Sequence, residues 1–164
     1  MGDTASEGAI RSDLKLCVGA SSGGHTNELM QLLDNASWWP TSAIAVTTLD
    51  ILRPQFEELG PTTVIGECHR FKPWAAIGVF VRAFLFAARE RPDVIVTTGS
   101  LPLAMVCIFV KLFRGKVVWI DSVAQMEDLS MSGNLVRRFA DRCFAQWPTV
   151  ADKHERVLYA GELL

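Results

Sequence analysis

The sequence has few cysteines and histidines and no large excess of charge of either sign. Its four cysteines show no CxxC spacing and its three histidines are scattered, so a zinc or iron site has little support. The formal net charge of −2 argues against a nucleic-acid-binding protein, which would be basic. A hydrophobic content of 49% over 164 residues instead predicts one folded domain with a buried core.

The chain also lacks a secretory signal and a membrane-spanning run. Residues 1–13 are polar and mixed in charge, and we expect a disordered leader there, although "MGDTAS" fits the loose myristoylation pattern. The longest apolar run, "WAAIGVFVRAFLFAA" at 74–88, is interrupted by Arg82 and falls short of the ~20 residues of a spanning helix. It indicates either a helix packed on a sheet with Arg82 at the wet edge, or a helix in a bilayer interface whose arginines meet lipid phosphates.

Apolar runs of strand length alternate with helical stretches along the chain, which predicts an α/β fold. The predicted strands span 14–19, 43–47, 62–65, 94–97, 117–120 and 142–146. The predicted helices span 25–35, 51–59, 73–91, 102–113 and 133–140. Unbroken apolar strands between helices predict a parallel, Rossmann-like sheet covered on both faces. Cys17, Cys107 and Cys143 lie inside apolar runs, so we expect buried, reduced thiols.

Ligands of such sheets bind at the carboxyl ends of the strands, near a topological switch point. The segments that follow strands are therefore the candidate site: 21–25, 97–102 and 121–125. In the first, "SSGGH" precedes a helix, and its glycines and free N–H groups favour a phosphate. The segment is neither GxxxxGK[ST] nor GxGxxG, so a P-loop ATPase or a dinucleotide enzyme has weak support, and a plain tight connection stays an alternative.

Three further residues of these segments could take part in chemistry. His25 begins a helix, where the dipole favours a neutral imidazole that can act as a base, although a lone histidine is more often structural. Asp121 follows a strand and could accept a proton from a sugar hydroxyl, or could start the next helix. Ser100, after Gly99 in "TTGS", offers a hydroxyl donor in what could equally be a simple turn.

Four segments resemble one protein family in the same order along the chain. They are "SSGGHTNEL", "RPDVIVTTG", "WIDSVAQMEDLSMSGNLVRRFADRCFAQWP" and "KHERVLYAGEL". They are similar to the acceptor-side, membrane-associated subunits of two-part glycosyltransferases, which include a eukaryotic subunit acting on dolichol-linked sugar and bacterial exopolysaccharide subunits. The third segment is the most specific of the four.

The resemblance implies the amino-terminal half of a GT-B glycosyltransferase, with residues 14–164 as a Rossmann-like acceptor-binding domain. It implies an inverting transfer from a UDP-sugar, bound mainly by a separate donor-binding subunit, to a polyprenyl diphosphate-linked sugar at the cytoplasmic face of a membrane. No metal or other cofactor is expected. Because the sequence ends soon after the sixth predicted strand, we expect the donor domain on that other chain.

The implied site residues fall into three groups. The candidate bases are His25 and Asp121. The phosphate- or acceptor-binding residues are Ser21, Ser22, Gly23, Gly24, Thr26, Gly99 and Ser100. The peripheral membrane contacts are Trp74, Phe80, Arg82 and Phe84, since the helix at 74–88 would replace the membrane span of the eukaryotic subunits. Two alternatives stay open: a non-catalytic membrane recruiter of the partner, and a self-sufficient nucleotide-binding enzyme.

Overall fold

Seven parallel strands form one sheet in the computed structural model, which describes residues 14–36, 43–68 and 73–163. The strands are β1 (Leu16–Ala20), β2 (Ala43–Thr47), β3 (Thr62–Val64), β4 (Val94–Thr97), β5 (Lys116–Ile120), β6 (Arg142–Ala145) and β7 (Leu158–Tyr159). The helices are α1 (Gly24–Asp34), α2 (Arg53–Glu57), α3 (Pro73–Glu90), α4 (Leu101–Leu112), α5 (Met131–Val136) and α6 (Pro148–Ala151). A 3-10 turn covers Asp50–Leu52.

The strand order is β3-β2-β1-β4-β5-β6-β7, so the sheet reverses its direction of growth between β1 and β4. In register, Leu16 of β1 lies beside Ala43 of β2 on one side and Val94 of β4 on the other. Crossovers between parallel strands are right-handed, so helices before and after the reversal cover opposite faces. The loops that follow β1 and β4 therefore meet at the switch point.

Alternate residues of β1 contribute to cores on the two faces of the sheet. Leu16 and Val18 pack with Leu29 of α1 and Phe56 of α2. Cys17 belongs to the larger core, which includes buried residues of α3, α4 and α5. On that face α3 and α4 pack together, with the Phe80 and Phe84 rings edge-to-face against Phe109 at centroid distances of 4.8 and 5.3 Å.

The predicted parallel α/β sheet and its first six strands are confirmed, with bounds shifted by one or two residues. The predicted helix at 51–59 is wrong in extent, being a 3-10 turn followed by the five residues of α2. The helix predicted at 133–140 is α5, which ends at Val136. It begins earlier than predicted, because the Ser130 hydroxyl accepts a hydrogen bond from the Gly133 N–H and caps its N-terminus. The short elements α6 and β7 had no prediction, and the leader at 1–13 lies outside the described residues.

The three cysteines of the apolar runs are buried and free, as predicted. Burial raises the pKa of the Cys107 thiol well above its usual range. Burial, together with the nearby Asp121 charge, raises the pKa of the Cys143 thiol to about 12. Both side chains are therefore protonated core residues at neutral pH.

Asp141 joins the end of α4 to the starts of β5 and β6. Its Oδ2 accepts from Lys111 Nζ at 2.7 Å and from the Val117 N–H at 2.9 Å, and its Oδ1 accepts from Lys116 Nζ at 3.1 Å. Partial burial raises the pKa of Asp141, but the hydrogen bonds from Lys111, Val117 and Lys116 outweigh it and lower the pKa to about 2.

We expect Asp141→Asn to lower the free energy of unfolding by about 1–2 kcal/mol at pH 7, since a pKa shift of one unit corresponds to ~1.4 kcal/mol. A lowered carboxyl pKa stabilises the fold above the unfolded-state pKa near 3.8, and this stabilisation disappears as the pH falls toward 2. Urea unfolding of both proteins between pH 7 and pH 2.5 measures the difference. Asp152→Asn, at an exposed position, is the control. A deficit that stays constant over this pH range would contradict the assignment.

Candidate functional site

The glycine turn after β1 presents an open backbone at the switch point. Gly23 has a φ of 81°, which favours glycine, and a Cβ built on it would meet no atom within 4 Å. A buried hydrogen bond stabilises the turn, because Thr26 donates its hydroxyl to the Ser21 carbonyl at 2.8 Å. Gly23 and Gly24 are exposed, so the N–H groups at the start of α1 are accessible to an anion.

His25 lies against the loop that follows β4. A Cβ built on Gly99 would be 3.2 Å from His25 Cε1 and 3.4 Å from Trp119 Cζ2, which is a tight contact, and the Gly99 φ of 117° also favours glycine. Thr98 donates its hydroxyl to the His25 carbonyl at 2.6 Å and joins the two loops. The imidazole Nδ1 is buried and has no hydrogen-bond partner among the described residues. The structure thus brings together His25 and Gly99, as the switch-point rule predicts.

Ser100 has a strained backbone in the same loop. Its φ of 101° is a conformation that residues other than glycine rarely adopt. It precedes α4 without a side-chain cap, and its buried hydroxyl has no hydrogen-bond partner among the described residues. A strained residue with an unsatisfied buried hydroxyl is typical of a ligand site.

The Asp121 carboxylate points toward the segment between β5 and α5 to which it belongs. It is buried, with Oδ2 accepting from the Ser130 N–H at 2.6 Å and Oδ1 accepting from the Ser130 hydroxyl at 2.6 Å and Trp119 Nε1 at 3.2 Å. A Cβ built on Gly133 would be only 2.7 Å from Oδ1, so the start of α5 packs directly on the carboxylate. This geometry favours the alternative interpretation of Asp121, a role in starting the next helix.

Glu28 is a buried acid next to the candidate site that sequence reasoning missed. It is 4% exposed, and its Oε1 accepts from the Ser122 hydroxyl at 2.9 Å and the Val123 N–H at 3.2 Å, while Oε2 accepts from Gln146 Nε2 at 3.1 Å. These contacts fix α1 to the loop after β5 and to the end of β6. Its spacing of three from His25 could have indicated a shared helix face.

A cavity of about 260 Å³ lies beside the strained serine, at the ends of β2 and β3. Glu67 Oε1 accepts from the Ser22 hydroxyl at 3.0 Å and from the Thr48 hydroxyl at 3.2 Å. Partial burial, together with the Glu67 charge, raises the pKa of the Cys68 thiol, which also lines the cavity. Neither Thr48 nor Glu67 had been predicted as a site residue.

Helix α3 exposes a broad apolar face although its other face is buried. Trp74 is 82% exposed, Phe80 49% and Phe84 40%. Val79 and Phe86 face the core, so the predicted packing on the sheet is confirmed for that side. Arg82 is exposed and donates to the Ile65 carbonyl at 3.4 Å. Across the described residues, we find no helix with both the length and the apolar character needed to cross a bilayer.

Comparison with known proteins identifies the same family that the four segments suggested. Residues 59–163 match the family model described as "Oligosaccharide biosynthesis protein Alg14 like". UDP-N-acetylglucosamine transferase subunit ALG14 of Yarrowia lipolytica is 27% identical over 93% of this chain and 82% of that protein. The subunit of the same name from Homo sapiens is 23% identical over 94% of this chain and 85% of that protein.

Solved structures with the same fold are about twice as long as this chain. MurG of Acinetobacter baumannii has a TM-score of 0.67 at 12% identity, covering 90% of this chain and 45% of that one. UDP-GlcNAc 2-epimerase of Methanocaldococcus jannaschii has a TM-score of 0.65 at 12% identity, and the match covers 91% of this chain and 47% of that one. The predicted fold, the amino-terminal half of a GT-B protein, is confirmed. Since the family match extends over most of the residues, the chain belongs to the Alg14-like family of oligosaccharide biosynthesis proteins.

Proposed function

We propose that this chain is the acceptor-binding subunit of a two-component glycosyltransferase. The enzyme would transfer a sugar from a UDP-sugar to a polyprenyl diphosphate-linked sugar, and a second chain would bind the donor. The names of the relatives, which are subunits of a UDP-N-acetylglucosamine transferase, make UDP-N-acetylglucosamine the favoured donor. The observation that carries the proposal is the meeting of His25, Gly99 and Ser100 beside an open glycine turn at the switch point.

His25 is the general base in this proposal. Its imidazole takes the proton from the acceptor hydroxyl as that oxygen attacks the anomeric carbon, and the bond between that carbon and the UDP oxygen breaks with inversion. Gly99 permits the position of the ring, and Glu28 fixes the helix that carries it. Asp121, whose carboxylate is engaged by Ser130 and Trp119, positions the neighbouring loop.

The glycine turn supplies the electrostatic part of the site. N–H groups at Gly23 and Gly24 and the dipole of α1 favour a diphosphate, of the acceptor or of the donor across the cleft. Backbone amides can stabilise a leaving diphosphate, so the proposal needs no metal. Ser21 and Thr26 hold the turn through their hydrogen bond.

The apolar face of α3 supports peripheral contact with the cytoplasmic face of a membrane, where a polyprenyl acceptor would lie. Trp74 is largely exposed and offers the amphipathic aromatic surface typical of interfacial helices. Phe80 and Phe84 both pack one side of the ring against Phe109 and leave the rest exposed. Arg82 donates to the Ile65 carbonyl.

The exposed face of α3 also favours a second candidate function, a recruiter that only brings a catalytic partner to the membrane. Anchoring the donor-binding chain artificially to vesicles distinguishes the acceptor-binding subunit from the recruiter. A recruiter becomes dispensable under these conditions. In our proposal the anchored partner still requires this chain for transfer.

We expect His25→Ala to lower the turnover of the reconstituted pair by about 100- to 10,000-fold, the usual contribution of a general base. Turnover is measured as radiolabelled sugar transferred from the UDP-sugar to the polyprenyl diphosphate-linked acceptor. His154→Ala is the control, because His154 pairs with Asp128 away from the site. If the turnover of His25→Ala were unchanged, His25 would not be the general base.

We expect the double change Trp74→Ser and Ile77→Ser to weaken binding to anionic phosphatidylglycerol vesicles by about 10-fold or more, since it removes two large exposed apolar side chains. Vesicle co-sedimentation of the full chain measures the partition coefficient. Met131→Ser changes an equally exposed apolar residue on α5 and should have little effect. Equal loss in both variants would argue against a specific role of α3.

A further inference from the structure

We infer that the groove between α3 and β3 binds the phosphate group of an anionic membrane phospholipid, with Arg82 and Arg89 as its cationic contacts. The inference rests on the proposed function, because it deepens the peripheral membrane contact of α3 by naming a lipid headgroup and the place that holds it. The groove has a volume of about 450 Å³ and lies between an edge strand of the sheet and one side of the helix. This volume is within the usual range of ligand pockets.

Arg82 reaches the groove with a guanidinium group that lies against the end of β3. Its Nη1 donates to the Ile65 carbonyl at 3.4 Å. A Cβ built on Gly66 would be only 3.0 Å from the same nitrogen, and the Gly66 φ of 91° favours glycine, so the backbone here leaves room for the guanidinium. A guanidinium has five N–H donors, and this hydrogen bond uses one of them. Arg82 can therefore also donate to a phosphate.

Arg89 supplies a second positive charge on the same side of α3. Two helical turns separate it from Arg82, which is about 10.5 Å along the axis, a span that two long side chains can close around one phosphate group. Glu90 is the one acid among the described residues that line the groove. It lies 3.3 Å from Arg89 Nε and also accepts from Lys15 Nζ at 2.9 Å. Three cations around one acid favour an anionic ligand.

An apolar stripe of α3 leads out of the groove. Leu85 lines the groove and is 57% exposed. Ile77 and Val81 are also exposed, and their spacing of four places them with Leu85 on one side of the helix. Cationic contacts thus lie beside an exposed apolar surface. A glycerophospholipid has the matching two parts, a phosphate next to acyl chains, whereas a free phosphate has only the first.

The direction of the groove separates this lipid from the acceptor of the transferase. The groove extends from Val64 back to Pro61, before the start of β3. Arg89 belongs to the last turn of α3, five residues before β4 begins, so it lies toward the amino ends of the strands. His25 and the glycine turn lie at the carboxyl ends. A phosphate in contact with Arg89 therefore belongs to a second lipid, which holds the chain at the bilayer.

The first test measures the affinity of the full chain for dihexanoylphosphatidylglycerol, a short-chain lipid, by NMR titration below its micelle concentration. We expect saturable binding by the wild-type chain, and binding at least 10-fold weaker in the double variant Arg82→Gln and Arg89→Gln, because two charge-assisted contacts are lost. The matched control, Arg138→Gln with Arg142→Gln, removes the same charge from exposed arginines outside α3 and should bind as the wild type does. Equal loss in both double variants, or no binding by the wild type, would overturn the inference.

A change that conserves charge distinguishes a defined site from general electrostatic attraction. Arg82→Lys keeps the positive charge but loses the planar group that can donate two hydrogen bonds to one phosphate. We expect its affinity for the same lipid to fall about 3- to 10-fold. Arg138→Lys is the control and should have no effect. If Arg82→Lys bound the lipid as tightly as the wild type, Arg82 would not form a phosphate site.

Two further ligands identify the source of the phosphate. Inorganic phosphate lacks acyl chains and dihexanoylphosphatidylcholine is zwitterionic, so each should bind the wild-type chain at least 10-fold more weakly than the phosphatidylglycerol. Equal affinity for either ligand would contradict an anionic phospholipid site. None of these measurements uses sugar transfer. A reconstituted pair that transfers no sugar would therefore overturn the proposed function, while the lipid titrations decide this inference.

Discussion

The hydrogen bonds of the buried Glu28 carboxylate are the contacts on which the arrangement of the candidate site depends. This residue lies inside α1, and its partners come from the loop after β5 and from the end of β6, 94 to 118 positions away along the chain. A buried charge is tolerated only when its hydrogen bonds are satisfied, so the contacts with Ser122, Val123 and Gln146 fix one arrangement of these segments. Because Glu28 is one turn from His25, the same contacts hold the start of α1, which carries His25, at the switch point. Gln146 extends the network further, accepting from the Leu163 N–H through its Oε1.

The glycine turn, the cavity beside Ser100 and the exposed face of α3 are surfaces of different chemistry. The glycine turn offers amides for an anion, the cavity beside Ser100 is lined in part by hydroxyl groups, and α3 offers an apolar face. A lipid-linked sugar has the same three parts: a hydrocarbon chain, a diphosphate and a carbohydrate. In our proposal the glycine turn suits the diphosphate of such an acceptor, and the exposed face of α3 lies near its hydrocarbon chain.

The fold and the meeting of the loops after β1 and β4 could be predicted from sequence, but the contacts of several side chains could not. Alternating apolar runs indicate a parallel sheet, and the switch-point rule then selects the loops that carry His25 and Gly99. Asp121 shows the limit of this reasoning, because sequence gives its place after a strand and not the Trp119 and Ser130 donors that engage it. Glu28 and Glu67 acquire their partners through long-range contacts that no local pattern records. The strained φ of Ser100 violates local preference, so only the structure reveals it.

The central claim is that this chain forms the acceptor side of a cleft whose donor side belongs to another chain. Isothermal titration calorimetry of the purified chain with UDP-N-acetylglucosamine tests this claim most directly. The account predicts no measurable binding in the absence of the second chain, and binding once the donor-binding chain is added. Saturable micromolar binding by the isolated chain would contradict it, since the donor site would then lie within these 164 residues.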